Sequence, residues 1–304
     1  MNFKRRPFLA TTALALAAAG LRAPVAAAAG GTLLTRPIPS SGEAVPVIGM
    51  GTSGSFEVGD SAAARDPLRE VLRRFVAGGA RLIDTAPSYG TAESVLGDLM
   101  AELGLRGQVF LATKMSSIGR EAGAAQFAES LARLRTDKVD LLQVHNLRDW
   151  RTQLALARDL KAEGKVRYVG LTHYVDSAHE QLAIAMRESK PDFIQINYSP
   201  TQRAAEKTLF PLARDLGIAV LANRNFDDGA LFGKVRGQAL PAWAAEVGAT
   251  SWAQLFLKFV LSHEAVTAVI PATSKPDNQS DNLRAGTGQL LDEKQREALI
   301  AAVA

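Results

Sequence analysis

The sequence predicts an α/β fold, a (β/α)8 or TIM barrel with an N-terminal β-hairpin and an extra C-terminal helix. Three observations support this prediction. Apolar, β-branched runs alternate along the chain with amphipathic stretches. Several runs, such as Val139–Val144, are almost continuously apolar, which is typical of parallel strands covered on both faces. Glycines such as Gly104, Gly164 and Gly217 follow predicted helices, where a C-cap or a turn into a strand favours them.

The repeating pattern sets the approximate bounds of each element. Strands are predicted at Val45–Thr52, Arg81–Asp84, Val109–Lys114, Val139–His145, Val166–Thr172, Phe193–Tyr198, Ala219–Asn223 and Thr267–Pro271. Helices are predicted at Ala62–Ala77, Ala92–Leu103, Ala122–Arg135, Arg151–Ala162, Ser177–Glu188, Ala204–Leu216, Trp252–Ser262 and Asp277–Ala285.

An open, doubly wound sheet is the competing fold. Such sheets usually carry a glycine-rich phosphate loop between the first strand and a helix. Gly49–Gly54 has glycines at a suitable spacing, but turn-like sequence follows it and the helical pattern begins only near Ala62. The barrel is therefore the favoured fold.

The segments outside the eight repeats have patterns of their own. Residues 31–44 contain Pro39–Gly42, a good hairpin turn, and such a hairpin can plug the bottom of a barrel. Asp292 is a favourable cap for a final helix over Asp292–Val303. The connection Asn225–Gly248 contains several glycines, and we expect it to form a mobile lid.

The first 29 residues have the pattern of a secretory signal. Lys4, Arg5 and Arg6 provide a positive start, and an Ala-rich apolar run and small residues follow. Arg5-Arg6-Pro-Phe-Leu resembles a twin-arginine signal, which the Tat export machinery reads. We expect cleavage near Ala29, a barrel domain over residues 30–304, and a periplasmic protein with no stable membrane insertion. A retained anchor is disfavoured because the run is shorter than the roughly 20 residues of a spanning helix.

Charge and composition argue against several functions. Residues 1–29 hold four basic side chains and no acidic one, so the remaining chain has 31 basic residues against 31 acidic ones. No basic excess is left to bind nucleic acid. The chain has no cysteine, which excludes disulfides and thiolate metal sites. Its four histidines have no close ligand spacing on one helix, so no metal site is expected.

Polar side chains stand at the C-terminal ends of the predicted strands, where TIM barrels carry their active sites. Asp84 ends the second strand and Tyr89 follows it, Lys114 ends the third strand, and His145 ends the fourth. The sixth strand carries Gln195, Asn197 and Tyr198. Each residue alone has an ordinary structural explanation, such as a turn cap or a solvated lysine. Their occurrence at consecutive strand ends predicts one common site.

These side chains suit proton transfer to a carbonyl oxygen. Lys114 beside Asp84 would form an ion pair, and we expect the nearby cation to lower the pKa of the Tyr89 phenol. Tyr89 can then donate a proton to a carbonyl, or accept one from an alcohol, while His145 orients the same oxygen. None of the four side chains carries a hydride, so the reaction needs a cofactor.

The motif Asp84-Thr-Ala-Pro-Ser-Tyr89-Gly-x-Ala-Glu93, followed by Lys114 and His145, resembles the pattern of the aldo-keto reductase family. The resemblance spans nearly all of residues 32–285. It implies a (β/α)8 barrel and carbonyl reduction, usually with NADPH. The catalytic tetrad that it implies is Asp84, Tyr89, Lys114 and His145.

The resemblance also implies a set of cofactor contacts. They fall on Gly51, Thr52, Thr172, His173, Gln195, Arg224, Thr273, Ser274, Lys275, Asn278 and Asn282. Three positions depart from the family pattern. Thr172-His173 replaces a Ser-Asn pair, Arg224 lies where an aromatic residue commonly stacks on the nicotinamide, and Asn278 lies where many members have an arginine for the 2′-phosphate. NADP is therefore the expected cofactor, with NAD as the alternative.

The leading hypothesis is an NAD(P)H-dependent oxidoreductase that interconverts a carbonyl compound, such as an aldehyde, ketone or sugar, and an alcohol. Export suggests one alternative, a redox-neutral epimerase with a tightly bound cofactor. A nucleotide-binding protein that has lost turnover is a second alternative, and the four intact tetrad residues argue against it. A hydrolase is disfavoured because it would need two facing acids, and only Asp84 is well placed. Candidate apolar walls for the substrate are Phe56, Trp150, Phe226 and Phe232.

Overall fold

In the computed structural model, which describes Met1 and residues 31–304, eight parallel strands form a barrel. The barrel strands are β3 (Met50–Gly51), β4 (Leu82–Asp84), β5 (Phe110–Met115), β6 (Val139–Val144), β7 (Val166–Thr172), β8 (Phe193–Asn197), β9 (Ala219–Asn223) and β10 (Ala268–Val269). They pair in sequence order, and parallel bridges Ile48–Val269 and Gly51–Ala272 join the last strand to the first. The predicted barrel is confirmed.

Helices cover the outside of the barrel. They are α1 (Ala62–Ala77), α2 (Ala92–Leu103), α3 (Arg120–Arg133), α4 (Trp150–Ala162), α5 (His179–Ser189), α6 (Leu209–Leu216), α7 (Ala230–Lys234), α8 (Trp252–Leu261), α9 (Pro276–Ala285) and α10 (Glu293–Ala302). Gly104 and Gly217 end α2 and α6 with positive φ, as the sequence predicted. Asp292 caps α10 through a capping box with Gln295.

The single first strand predicted over Val45–Thr52 is wrong. The chain forms two separate strands there: β2 (Ala44–Pro46), which pairs antiparallel with β1 (Thr35–Pro37), and the short barrel strand β3. Residues 45–51, which run from the second residue of β2 to the end of β3, are all buried and mostly apolar, so hydrophobicity alone does not separate the two strands. Pro46 lacks an N–H and is the last residue of the hairpin ladder.

The hairpin formed by β1 and β2 closes one end of the barrel. Ile38 and Val45 belong to the same buried cluster as the barrel residues Leu82 and Phe193. Arg36 anchors the hairpin because its guanidinium donates to the carbonyls of Leu261, His263 and Val266, at and just beyond the C-terminal end of α8. A cation at this end is favourable because the last helical carbonyls lack partners.

The connection Asn225–Gly248 contains α7 and packs against α8 through aromatic contacts. The ring centroids of Phe226 and Phe232 lie 5.1 Å apart, and those of Phe232 and Phe256 lie 5.7 Å apart. The movement of this connection as a lid stays a prediction. Within the described part of the chain, no helix is long and apolar enough to cross a bilayer. The predicted signal peptide lies outside the described residues.

Candidate active site

The C-terminal ends of the strands surround a cavity of about 720 Å³. Asp84 ends β4, Tyr89 lies in the following turn, Lys114 lies near the end of β5, and His145 directly follows β6. Asp84, Tyr89 and His145 line the cavity, and Lys114 is completely buried beneath them, bonded to Asp84. The structure therefore brings the four predicted catalytic residues together.

Asp84 and Lys114 form a buried ion pair. Lys114 Nζ donates to Asp84 Oδ2 at 2.6 Å and to the carbonyl oxygen of Thr85 at 2.9 Å. Burial lowers the pKa of Lys114. The Asp84 carboxylate and the Tyr89 phenol together raise this pKa by more than burial lowers it, so the net shift is upward. Lys114 therefore stays a cation at neutral pH.

Tyr89 lies between Lys114 and His145. The Lys114 ammonium is 5.0 Å from the centre of the Tyr89 ring, and the rings of Tyr89 and His145 meet edge to face at 5.8 Å. Burial raises the pKa of Tyr89, and this effect outweighs the lowering by Lys114, with Asp84 and Glu57 adding to the rise. The lower pKa expected from the sequence is therefore wrong for the protein alone. At neutral pH Tyr89 is a protonated phenol.

His145 is held in its neutral form. Burial is the main cause that lowers its pKa to about 3, and the Lys114 cation and His173 lower it further. His145 Nδ1 lies 3.3 Å from Ser88 Oγ. A neutral imidazole carries one N–H, so His145 can donate a hydrogen bond into the cavity without a net charge when Ser88 binds the other nitrogen.

Six of the predicted cofactor residues line the same cavity. They are Gly51, Thr52, Thr172, His173, Gln195 and Arg224. The Gln195 amide nitrogen donates to Asp84 Oδ1 at 2.9 Å, so Gln195 connects the cavity lining to the carboxylate of Asp84.

The two departures from the family pattern beside the nicotinamide position have defined contacts. His173 Nδ1 accepts the backbone N–H of Tyr174 at 3.0 Å, and the two rings stack. The Arg224 guanidinium is bound by the Asp228 carboxylate and lies 5.4 Å from the Tyr174 ring. The guanidinium is thus held at the rim by two loops.

A second cavity of about 210 Å³ continues toward the N-terminus of α9. Thr273, Asn278 and Asn282 line it, and Phe226 and Phe232 border both cavities. Ser274 and Lys275 are exposed immediately before α9, with Lys275 as its N-cap residue. A helix N-terminus with a neighbouring lysine suits a phosphate group. The two cavities share Phe226 and Phe232 in their linings, so residues on both sides of these rings are candidates to hold a dinucleotide.

Four other predicted residues lie outside the cavity. Asn197 donates to Asp176 and Gln202, and Tyr198 packs against Phe210 with its hydroxyl bonded to Glu206 and Arg296. Phe56 and Trp150 belong to the hydrophobic core, whereas Phe226 and Phe232 do form walls of the cavity.

Sequence reasoning missed Gln143, Ser88, Tyr174 and Asp228. Gln143 had a usable signal, since it is a lone amide in an apolar strand, two residues before His145 and hence on the same face. Within residues 31–304, no group of three or more His, Asp or Glu side chains could hold a metal ion.

The comparisons with known proteins agree with this geometry. The sequence model of the aldo/keto reductase family matches residues 47–303. The chain is 32% identical over 185 residues to aldo-keto reductase YhdN of Bacillus subtilis, and 30% identical over 198 residues to the NADH-specific methylglyoxal reductase of Escherichia coli. Both alignments cover 55% of this chain, and they cover 54% and 58% of the two relatives, respectively.

A solved structure extends the similarity over most of the chain. The aldo-keto reductase from Klebsiella pneumoniae in complex with NADPH superposes with a TM-score of 0.73 at 25% sequence identity. The superposition covers 89% of this chain and 96% of that structure.

Proposed function

This chain belongs to the aldo/keto reductase family, and from that premise we propose that it is an NADPH-dependent reductase of small carbonyl compounds. One observation carries the proposal: the buried Asp84–Lys114 pair lies directly beside a protonated Tyr89 and a neutral His145 at the cavity floor. This arrangement places a proton donor and a neutral hydrogen-bond donor where one carbonyl oxygen can reach both.

The residues of this chain supply the proton half of the reaction. Reduced nicotinamide, when bound, supplies a hydride to the carbonyl carbon. His145 donates a hydrogen bond to the carbonyl oxygen, and Tyr89 transfers its phenolic proton to that oxygen. The O–H bond of the alcohol forms as the Tyr89 O–H bond breaks; the alcohol C–H bond would form with the electron pair of the C–H bond that breaks in the reduced nicotinamide, while the carbonyl π electrons move to the oxygen. Lys114 stabilises the phenolate until it takes a proton from solvent.

Several residues would hold the cofactor. Gln195 and Thr172 lie beside the tetrad and suit the carboxamide of the nicotinamide. Thr273, Ser274 and Lys275 precede α9 and suit the 2′-phosphate of NADPH. A related solved structure contains NADPH, whereas one relative is named as NADH-specific, so NADH is the alternative cofactor.

The substrate class follows from the cavity and from the relatives. Polar side chains of Ser53, Ser88 and Asn146 and the aromatic rings of Tyr174 and Phe226 share the lining. Such a mixed lining suits a small oxygen-rich carbonyl compound better than a long apolar one. Two relatives are named as methylglyoxal reductases, so methylglyoxal and small sugars are the first substrates to test.

The test is carbonyl-dependent oxidation of NADPH by the purified protein, followed by the loss of reduced-nicotinamide absorbance. We expect turnover with at least one aldehyde, ketone or sugar. Tyr89→Phe is expected to abolish turnover and leave the Kd for NADPH nearly unchanged. Binding of NADPH without turnover of any carbonyl would favour a nucleotide-binding protein, and no binding of NADPH or NADH would contradict the proposal.

We also propose that residues 1–29 direct export by the twin-arginine route. Arg5, Arg6 and the Ala-rich run support this proposal, and the balanced charge of the remaining chain is consistent with a soluble product. This route carries folded proteins, so the barrel can bind its cofactor before export. Cell fractionation with N-terminal mass spectrometry tests it: Arg5→Lys with Arg6→Lys should keep the precursor in the cytoplasm. Equal export of that variant would contradict the proposal.

A further inference from the structure

Gln143 is completely buried in the barrel and contacts the catalytic carboxylate. It lies on β6 opposite Lys114 of β5, and its amide nitrogen donates to Asp84 Oδ1 at 3.0 Å. Proton transfer from Tyr89 requires no direct contact with this side chain. A buried amide bonded to a catalytic carboxylate is a candidate for control of that carboxylate.

The hydrogen bonds divide the two oxygens of Asp84 between separate partners. Oδ2 accepts the Lys114 ammonium, whereas Oδ1 accepts the amide nitrogens of Gln143 and Gln195, at 3.0 and 2.9 Å. Rotation of the carboxylate would break all three bonds. The two amides therefore fix which oxygen faces Lys114.

The two glutamines differ in their access to the cofactor. Gln195 lines the cavity, where the family resemblance assigns it to the nicotinamide amide, so a cofactor can compete for its hydrogen bonds. Gln143 is fully buried, and its amide oxygen lies 3.5 Å from the amide nitrogen of Gln195. Gln143 is thus the partner that can hold Asp84 in place while Gln195 contacts the cofactor.

The neighbouring strand provides the space that Gln143 needs. Gly170 of β7 pairs in register with Gln143, and a Cβ atom on Gly170 would lie 3.0 Å from Gln143 Cγ. It would also lie 3.1 Å from the carbonyl oxygen of Phe193. Any larger residue at position 170 would press on the glutamine side chain.

We propose that Gln143 is a positioning residue, which keeps Asp84 aimed at Lys114 and so keeps the Lys114 ammonium beside Tyr89. The inference rests on the proposed reductase function. Removing the amide takes away a donor that stabilises the negative charge of Asp84. The electrostatic potential at the Tyr89 hydroxyl then becomes more negative, so the pKa of the phenol rises. The titratable groups around Tyr89 are Asp84, Glu57, Lys114 and His145.

The main test compares Gln143→Leu with the matched control Gln153→Leu. Gln153 lies on α4 and is also fully buried. Its amide nitrogen donates to the carbonyl oxygen of Gly119 at 2.9 Å, and it has no hydrogen bond to the tetrad. We expect Gln143→Leu to lower kcat about tenfold, the effect of losing one charge-assisted hydrogen bond, and to leave the Kd for NADPH unchanged. The control variant should keep the wild-type kcat.

A second measurement follows the ionisation of Tyr89 directly. The ultraviolet absorbance change of each protein on alkaline titration is compared with that of the same protein carrying Tyr89→Phe, and the difference reports the Tyr89 phenolate. Gln143→Leu should shift this titration to higher pH, and the control should not. Unchanged kcat and unchanged Tyr89 titration in Gln143→Leu would overturn the proposal.

The isosteric variant Gln143→Glu decides the question even when Gln143→Leu does not fold. Its new carboxyl can donate to Asp84 only when it is protonated, so activity should recover toward acid pH. In the alkaline range the carboxyl is ionised, so the Tyr89 titration of this variant should lie at higher pH than that of the wild type. A pH profile identical to the wild type would overturn the proposal. Absence of turnover in the wild type would refute the reductase function instead, and the Tyr89 titration would still test Gln143.

Discussion

The buried Asp84–Lys114 pair predicts a loss of stability that a second substitution should repair. In Lys114→Met, the Asp84 carboxylate keeps its hydrogen bonds to Gln143 and Gln195 but loses the ammonium at 2.6 Å. Removal of one partner of a buried pair costs about 3–5 kcal/mol. Because two amide donors remain, we expect the lower end, about 3 kcal/mol. Adding Asp84→Asn removes the unpaired charge and should restore most of the loss.

The assay is denaturant unfolding at neutral pH of the wild type, both single variants and the double variant. All three variants should lack reductase activity, because each loses either the Lys114 cation beside Tyr89 or the Asp84 carboxylate that holds this cation in place. The stability and the activity should therefore separate in the double variant. Wild-type stability in Lys114→Met, or a double variant as unstable as Lys114→Met, would refute the reasoning about this pair.

Three other perturbations have defined outcomes. The pKa of His145 is lowered from 6.5 to about 3, so the unfolded chain binds the extra proton first. The free energy of unfolding of the wild type should therefore decrease as the pH falls from 6.5 toward 3. In His145→Asn, the free energy of unfolding should decrease less over the same pH range. Burial lowers the pKa of Lys258 to about 8, so wild-type stability should increase from pH 8 toward 10.5, an increase that Lys258→Met should lack in pH-dependent unfolding. Gln279 is fully buried, and neither its amide nitrogen nor its amide oxygen has a hydrogen-bond partner among the described residues. Gln279→Leu should therefore raise the free energy of unfolding by about 1–3 kcal/mol. A free energy of unfolding below that of the wild type would contradict this prediction.

The catalytic residues could be predicted from the sequence because strand ends fix their positions. Asp84, Lys114 and His145 follow or end buried parallel strands, and such ends meet at one face of a barrel. Tyr89 follows Asp84 in a short turn and cannot lie far from it. Local sequence therefore determines which side chains meet.

The errors arose where three-dimensional burial or side-chain direction decides. The sequence shows that Lys114 is near Tyr89, but it does not show that burial of the phenol outweighs that cation. Tyr198 follows Asn197 and so points to the opposite face of the strand, where Phe210 and Arg296 enclose it. Hydrophobicity does not reveal the break after Pro46, because residues 45–52 are all buried.

A crystal structure of the protein with NADP and a bound carbonyl compound tests the central claim most directly. The carbonyl oxygen should lie within hydrogen-bond distance, about 2.6–3.2 Å, of both Tyr89 Oη and a ring nitrogen of His145. A carbonyl oxygen bound elsewhere in the cavity, with Tyr89 Oη out of reach in a complex that still turns over, would contradict proton delivery by Tyr89.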